Sequence, residues 1–250
     1  MNVVAIRLIV FVCVFGAALF GMFLRRVLPE QHLSADSKDT VRLGMGTIAT
    51  MAALVLGLLV ASAKNFYDTQ SSELTELSAN VILLDRILAY YGPETKEVRD
   101  LVRGAVAHQL DLIWHQDRQQ LSEVEPTAGG GEILKKIQAL SPKNDAQRAF
   151  QAQALSMGLG LAKERWLMFE ERSNSISIPL LAVLVFWLAI VFASFGLFAP
   201  PNATVIATLL LCALAVSGAI FLTVEMYTPF KGLMQLSSAP LRNALAHLGQ

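Results

Sequence analysis

Long apolar stretches alternate with polar sequence along the chain, and four of them are long enough to cross a membrane. They cover residues 3–24, 43–63, 176–199 and 203–224. The first has no small-residue cleavage site before Arg25, so we interpret it as a membrane helix and not as a signal peptide. The pattern predicts an all-α integral membrane protein, in which two pairs of transmembrane helices flank one helical aqueous domain.

A helical period continues in the polar sequence between the second and third segments. No Pro or Gly occurs from 64 to 91, and apolar positions recur there every three or four residues: Leu74, Leu77, Val81, Leu84, Leu88 and Tyr91. This predicts that the second membrane helix continues unbroken until Gly92-Pro93 ends it. A matching stripe lies in a helix predicted over 145–172: Ala152, Leu155, Leu159, Ala162, Trp166 and Phe169. We expect the two stripes to pack antiparallel and the later helix to run directly into the third segment.

Shorter elements complete the expected fold. Helices are predicted over 94–117 and 132–140, and Asn144 is expected to cap the helix that follows it. The polar stretch 25–42 is predicted to be a loop, and Pro200-Pro201-Asn202 a short hairpin. The predicted domain boundaries are 1–63 and 174–226 for the two membrane pairs, 64–173 for the aqueous domain and 227–250 for an amphipathic tail.

The composition agrees with a membrane protein. Hydrophobic residues make up 54% of the chain and charged residues 16%, whereas soluble domains carry about 25% charged residues. The net charge is zero, and the absence of a basic stripe argues against a nucleic-acid partner. Cys13 and Cys212 both fall inside apolar segments, so we interpret them as small buried residues and not as a disulfide or a metal pair.

An even number of crossings places both termini and the central domain on one side of the membrane. The total of Lys and Arg near the membrane ends is larger on the domain side, which favours cytoplasmic termini. The density of basic residues in the short first loop favours the opposite orientation. We therefore expect an inner (plasma) membrane protein, with a weak preference for cytoplasmic termini.

The second segment carries a ladder of small residues at every fourth position: Ala49, Ala53, Gly57 and Ala61. Such a ladder lets another helix approach closely, so we predict that this face packs against a neighbouring helix in a bundle or ring. The alternative is that small residues are simply common in membrane helices.

No enzyme motif is found in the sequence, and we predict no catalytic residue and no cofactor. His108, Asp111 and His115 share a helix face at a spacing that suits a divalent metal, but we favour a solvated face and predict no metal site. Glu225, at the end of the fourth segment, is either an interfacial anchor or a group that holds an ion or pairs with a basic residue. The four segments contain no acidic residue, which argues against a carboxylate-lined cation pathway or a proton relay.

Three stretches carry a family resemblance. They are Val55-Leu56-Gly57-Leu58 leading into Asn65-Phe66-Tyr67-Asp68, then Ser175-Ile176-Ser177-Ile178-Pro179-Leu180, and finally Pro229-Phe230-Lys231-Gly232 continuing to Ala239-Pro240-Leu241-Arg242. Together they resemble the bestrophin-like domain family of bacterial membrane proteins. The motif residues are Pro179, Glu225, Pro229, Phe230, Gly232, Pro240, Leu241 and Arg242.

The family is in turn remotely similar to bestrophins, which are pentameric anion channels with cytoplasmic termini. This resemblance implies that the second helix lines a pore, with a hydrophobic neck on Thr50, Leu54 and Leu58. These three residues share one helix face, as a pore lining requires. The aromatic neck of bestrophins is absent, and Lys231-Gly232-Leu233-Met234 stands where they carry an acidic calcium site, so calcium gating is not expected.

The leading hypothesis is a homo-oligomeric channel for a chloride-like anion, with a pentamer implied by the resemblance. The alternative is a non-conducting membrane scaffold or sensor whose helical domain binds a protein partner. A motor-type stator subunit is a third reading, against which the sequence shows no proton-carrying pattern.

Overall fold

The computed structural model describes residues 3–29, 35–114, 130–171, 177–230 and 232–250. These residues form helices and no strand, which confirms the all-α fold class. The helices are α1 Val3–Val27, α2 Ala35–Tyr91, α3 Lys96–Trp114, α4 Gly130–Gln138, α5 Asp145–Glu171, α6 Ile178–Phe198, α7 Ala203–Met226 and α8 Ala239–His247. Four of them, α1, α2, α6 and α7, are long and apolar enough to span a membrane.

The chain divides into two compact units. The membrane unit comprises Met1–Tyr67 and Ser175–Met234, and the polar unit comprises Asp68–Asn174 and Gln235–Gln250. Helix α2 contributes residues to both units, because it runs through 57 residues without a break. It ends at Tyr91, as the absence of Pro and Gly from 64 to 91 predicted. The predicted continuity of α5 with α6 concerns residues 172–176, which lie outside the described residues.

The predicted loop over 25–42 is wrong at both ends. Helix α1 continues to Val27, and α2 already begins at Ala35. Residues 35–42 are compatible with a helix, since none of them is Pro or Gly.

In the membrane unit, α1 packs against α6 and α7. The shared core includes Val14, Leu184 and Ile220, all of which are almost fully buried. Two glycines set the distance between α1 and α6. A Cβ atom at Gly21 would overlap the carbonyl oxygen of Ala193, and one at Gly196 would overlap that of Ala18. The tightest small-residue packing among the described helices of this unit therefore joins α1 and α6.

Short polar contacts close one end of the membrane unit. The predicted hairpin at Pro200-Pro201-Asn202 is present, and the Asn202 side chain caps α7 by accepting a hydrogen bond of 2.8 Å from the Val205 N–H. The Arg25 side chain donates to the Ala199 carbonyl, just after the end of α6. An arginine at this position satisfies a carbonyl that the helix itself leaves without a partner.

The expected burial of the two cysteines is wrong, because Cys13 and Cys212 are both exposed on the chain. Lipid tails are as apolar as a protein core, so a hydrophobic residue in a membrane helix can face either environment. Hydrophobicity alone consequently does not distinguish a buried position from a lipid-facing one.

In the polar unit, the apolar stripe predicted on α2 is buried at every position. Its partner α5 runs antiparallel to it, as predicted. The Gln147 Nε2 lies 2.9 Å from the Tyr91 carbonyl, the Phe150 ring stacks on Tyr90, and Glu164 accepts a hydrogen bond from Asn80. As residue numbers rise along α5, those of the contacted residues fall along α2.

The stripe predicted on α5 is wrong in part. Leu159 is 60% exposed and Trp166 49% exposed, whereas Ala154 and Gly158 are buried. Gly158 lies against Leu134 of α4, so a residue without a side chain is what lets α4 approach α5. Ala154 and Gly158, and not Leu159 or Trp166, therefore face the interior, and the side chain of Phe169 lies outside the described residues.

Asparagine and glutamine side chains in α5 and just before it cap the ends of helices. Asn144 caps α5 as predicted, since its Oδ1 accepts a hydrogen bond of 2.8 Å from the Gln147 N–H. Gln147 donates to the end of α2, and Gln151 donates to the carbonyls of Ile137 and Leu140 at the end of α4. These bonds satisfy carbonyls that helix ends leave free.

A buried ion pair anchors the C-terminal segment on this unit. The Arg99 guanidinium donates two hydrogen bonds of 2.8 Å to the two carboxylate oxygens of Asp85, whose side chain is 1% exposed. Asp85 also accepts from the Gly249 N–H at 3.2 Å, and Arg99 donates to the Gln250 carbonyl. The hydrogen bond to Asp85 raises the pKa of Arg99 above its ordinary value.

The two carboxylate oxygens of Glu164, on α5, differ in their hydrogen bonding. Its Oε1 accepts from Asn80 at 3.1 Å, and its buried Oε2 has no hydrogen-bond partner among the described residues. Burial, followed by the charge of Glu76, raises the pKa of Glu164 above its ordinary value. A raised pKa in the folded state means that the stability present at low pH is lost as pH rises through that pKa.

Replacement of Glu164 with glutamine should therefore raise the melting temperature at about pH 7 and change it little at about pH 4, where a carboxyl group with a raised pKa is protonated. Thermal unfolding of the two proteins over this pH range measures the difference. Glu76→Gln should shift the melting temperature in the same direction by less, because it removes only the neighbouring charge. An equal gain for Glu164→Gln at both pH values would contradict this account.

Candidate functional site

The three residues predicted to line a pore lie on one exposed face of α2. Leu54 is 65% exposed and Leu58 is 70% exposed, and Thr50 is also exposed. The Thr50 hydroxyl donates to the Gly46 carbonyl at 2.9 Å, so its oxygen remains available as an acceptor on the outer surface of the helix. Two large leucines thus point away from the core of their own chain.

The same face extends beyond these three positions. Leu43 is 78% exposed, and Thr47 and Asn65 are exposed as well. They lie at helical spacing from Thr50 and Leu58, which is the signal in the sequence that would have identified them. Along the exposed face, Leu43 is therefore followed by the hydroxyls of Thr47 and Thr50, then by Leu54 and Leu58, and finally by the amide of Asn65.

The small-residue ladder occupies the neighbouring face, one residue or about 100° around the helix. Ala53, Gly57 and Ala61 are exposed and Ala49 is half-buried. A Cβ atom added at Gly57 would meet nothing within 4 Å. In the membrane unit, the buried residues of α2 are instead Ala52, Leu59 and Ala63. Within the described chain, the ladder therefore forms no tight helix contact at Gly57.

The charges along this part of α2 have one sign. No Asp or Glu occurs from Thr40 to Tyr67, and Arg42 and Lys64 lie near the two ends of this stretch. Arg42 lies 3.6 Å from Asp39 in a pair whose side chains are both largely exposed. The Lys64 ammonium lies 5.6 Å from the centre of the Tyr67 ring. The exposed face thus carries no negative charge between two positive ones.

Glu225 has a local partner just after the Pro-Phe-x-Gly stretch. Its carboxylate is buried, at 4% exposure, and accepts a hydrogen bond of 2.8 Å from the Leu233 N–H. Gly232 adopts a positive φ of 91°, and a Cβ atom there would overlap the Glu225 carboxylate. The carboxylate thus holds the turn after α7, and only glycine fits both the backbone conformation and the space.

An aromatic contact joins this turn to α2. The Tyr227 ring stacks on Phe66 at 5.4 Å between centroids, and its hydroxyl lies 3.0 Å from the Ser62 hydroxyl. The contact therefore brings Phe66, in one of the stretches that suggested the family, next to Tyr227, which lies just before another of them.

The remaining motif residues begin helices or fill cores. Pro179 lies in the first turn of α6 and Pro240 in the first turn of α8, where a missing N–H costs least. Leu241 is 1% exposed, Pro229 is buried, Phe230 is half-buried and Arg242 is exposed. Pro179 thus begins α6, and the other motif residues shape the chain after α7.

The possible metal site rests on three residues, of which two can be placed. His108 and Asp111 are exposed on α3, and His115 lies outside the described residues. No cluster of three potential ligands occurs in the part of the chain that the structure describes.

Comparisons with known proteins agree with this architecture. A crystal structure of a membrane protein superposes with a TM-score of 0.60 at 13% sequence identity, covering 95% of this chain and 99% of that chain. At this identity the likeness shows the fold alone. No curated protein matches the chain. A family model for the bestrophin-like domain matches residues 12–241, which confirms the predicted resemblance. The chain is a member of the bestrophin-like domain family.

Proposed function

We propose that this protein is a homo-oligomeric anion channel, in which the exposed face of α2 from several subunits lines the pore. The observation that carries the proposal is that Leu54 and Leu58 are more than half exposed on an unbroken membrane helix. The family is channel-like, which is compatible with this role. No enzyme function is proposed.

The leucines would form a hydrophobic constriction. A narrow apolar passage cannot replace the hydration shell of an ion, so such a ring gates by excluding water. The hydroxyls of Thr47 and Thr50 would lie on one side of the constriction. Because they donate to backbone carbonyls, their oxygens could accept hydrogen bonds from the water around an anion.

The preference for an anion rests on charge. A pore lined by residues 40–67 would contain no carboxylate, and it would have Arg42 and Lys64 near its ends. Rings of positive charge favour anions near a pore mouth, whereas cation channels typically place Asp or Glu there. A chloride-like ion therefore fits this surface best.

The assembly would use the ladder Ala49, Ala53, Gly57 and Ala61 to seal each α2 against the next. Small residues permit that close approach, and Gly57 has open space around it in the single chain. A pentamer in the inner (plasma) membrane, with cytoplasmic termini and no metal or other cofactor, completes the proposal.

The alternative is a membrane scaffold or sensor. Exposed apolar side chains on the polar unit favour it, since Tyr90 is 71% exposed and Leu159 is 60% exposed. Such residues fit contact with a protein partner.

Flux measurements test the channel. Leu54→Ala and Leu58→Ala should widen and wet the constriction, and so raise anion flux into liposomes above that of the wild type. Leu59→Ala is the matched control, because Leu59 is 6% exposed on the same helix. That variant should lose about 2–5 kcal/mol of stability and leave flux unchanged.

Cross-linking between subunits provides a second test of the channel proposal. Single cysteines at positions 50, 54 and 58, in a chain with Cys13 and Cys212 replaced by alanine, should cross-link between subunits. If no cross-link forms and the alanine variants conduct no more than the wild type, the channel proposal fails and the scaffold is favoured.

A further inference from the structure

A groove in the membrane unit lies between the beginning of α2 and the end of α6. Its volume is about 440 Å³, and its walls include Met45, Gly46 and Ala49 on one side and Phe195 and Phe198 on the other. This is within the size range of sites that hold small molecules, about 300–1,000 Å³. The groove lies at the end of the unit that also contains the Pro200-Pro201 hairpin and Arg25.

The polar groups of the groove are few. The groove is lined by two polar residues, Arg42 and Ser194, and by the Ala199–Pro200 segment. Asp39 is the acidic neighbour, at 3.6 Å from Arg42, but both side chains are mostly exposed. Exposed ion pairs of this kind contribute about 0–1 kcal/mol, so a stronger anion can replace the carboxylate.

We propose that this groove binds one anionic phospholipid, with its phosphate at Arg42 and one acyl chain between α2 and α6. The chemistry of the two parts matches: an apolar cleft inside the membrane span, and an arginine where the apolar sequence of α2 begins at Leu43. Basic pockets between membrane helices are the usual sites for charged lipid head groups. Lipid binding here does not require ion conduction, but it shares Arg42 and Ala49 with the proposed channel, in which Ala49 also faces the next subunit.

Two glycines on α2 give a matched pair of variants. Gly46 lines the groove and Gly44 does not, and a Cβ atom at either position would meet nothing within 4 Å. Gly46→Leu should therefore fill the groove without disturbing the fold, and Gly44→Leu adds the same side chain elsewhere on the same helix. Arg42→Gln and Arg26→Gln form a second pair, since Arg26 is exposed at the end of α1 and does not line the groove.

The experiment is native mass spectrometry of the full chain in detergent, after delipidation and titration with phosphatidylglycerol, phosphatidylcholine or inorganic phosphate. We expect phosphatidylglycerol to remain bound to the wild type, Gly44→Leu and Arg26→Gln. Arg42→Gln should weaken its binding about fivefold, the effect expected from one arginine near a lipid phosphate. Gly46→Leu should abolish the retained lipid.

Three results would overturn the proposal. Equal lipid retention by Gly46→Leu and Gly44→Leu would place the lipid elsewhere. Equal retention of phosphatidylcholine, or saturation by inorganic phosphate alone, would remove the anionic lipid as the occupant. A change of subunit number in Gly46→Leu with phosphatidylglycerol still bound would show that a second copy of the chain fills the groove.

Discussion

Replacement of Arg99 with alanine is expected to destabilise the polar unit by about 3–5 kcal/mol, the cost of leaving a buried charge unpaired. The Asp85 carboxylate is 1% exposed, and Arg99 supplies both of its charge-assisted hydrogen bonds. Without the guanidinium, Asp85 keeps the Gly249 N–H at 3.2 Å, which cannot compensate a full charge. The last residue should also lose its anchor, because Arg99 donates to the Gln250 carbonyl.

Denaturant unfolding of the full chain in detergent measures this loss. With Trp166 and Trp187 replaced by phenylalanine in both proteins, Trp114 provides a local fluorescence signal, because its Nε1 donates to the Leu236 carbonyl at 3.0 Å. Arg148→Ala is the matched control. Arg148 pairs with Asp145 at 2.9 Å, but their side chains are 70% and 96% exposed. Its removal should cost less than about 1 kcal/mol.

A double variant separates the charge from the packing. Arg99→Met combined with Asp85→Leu replaces the pair with apolar side chains of similar size, which is often neutral or stabilising. This variant should recover most of the lost stability. If Arg99→Ala costs no more than Arg148→Ala, the pair does not stabilise the unit as inferred.

Substitution of Gly196 or Gly21 with alanine is expected to destabilise the membrane unit by about 1–3 kcal/mol or more. The added methyl group would overlap a backbone carbonyl, that of Ala18 or of Ala193 respectively. A backbone atom cannot move to another rotamer, so α1 and α6 would have to separate. The separation would reduce packing along the interface that buries Val14 and Leu184.

Gly16→Ala in α1 is the control for this substitution. A Cβ atom at Gly16 would meet nothing within 4 Å, so alanine adds only its better helix propensity. That change should stabilise the helix by up to about 1 kcal/mol. Melting temperatures in detergent should therefore move in opposite directions for Gly16→Ala and Gly196→Ala, and a fall of similar size in both would contradict the close contact.

The sequence by itself determined the class of fold and the positions of the membrane helices. Their length and hydrophobicity are local properties, and the absence of Pro and Gly from 64 to 91 is enough to predict that α2 continues to Tyr91. The same period places Thr50, Leu54 and Leu58 on one face of α2. Whether that face lines a pore stays a prediction, since it depends on contacts between subunits.

Tertiary structure alone decided which polar and small residues meet. Asp85 finds Arg99 and Gly249, and Glu225 finds the turn at Gly232, through contacts that no local period encodes. The inward face of α5 was mispredicted because small residues there allow α4 to approach, so packing distance overrides the size of Leu159. Local sequence sets which segments are helical, whereas the fit of distant helices determines which of their faces are buried.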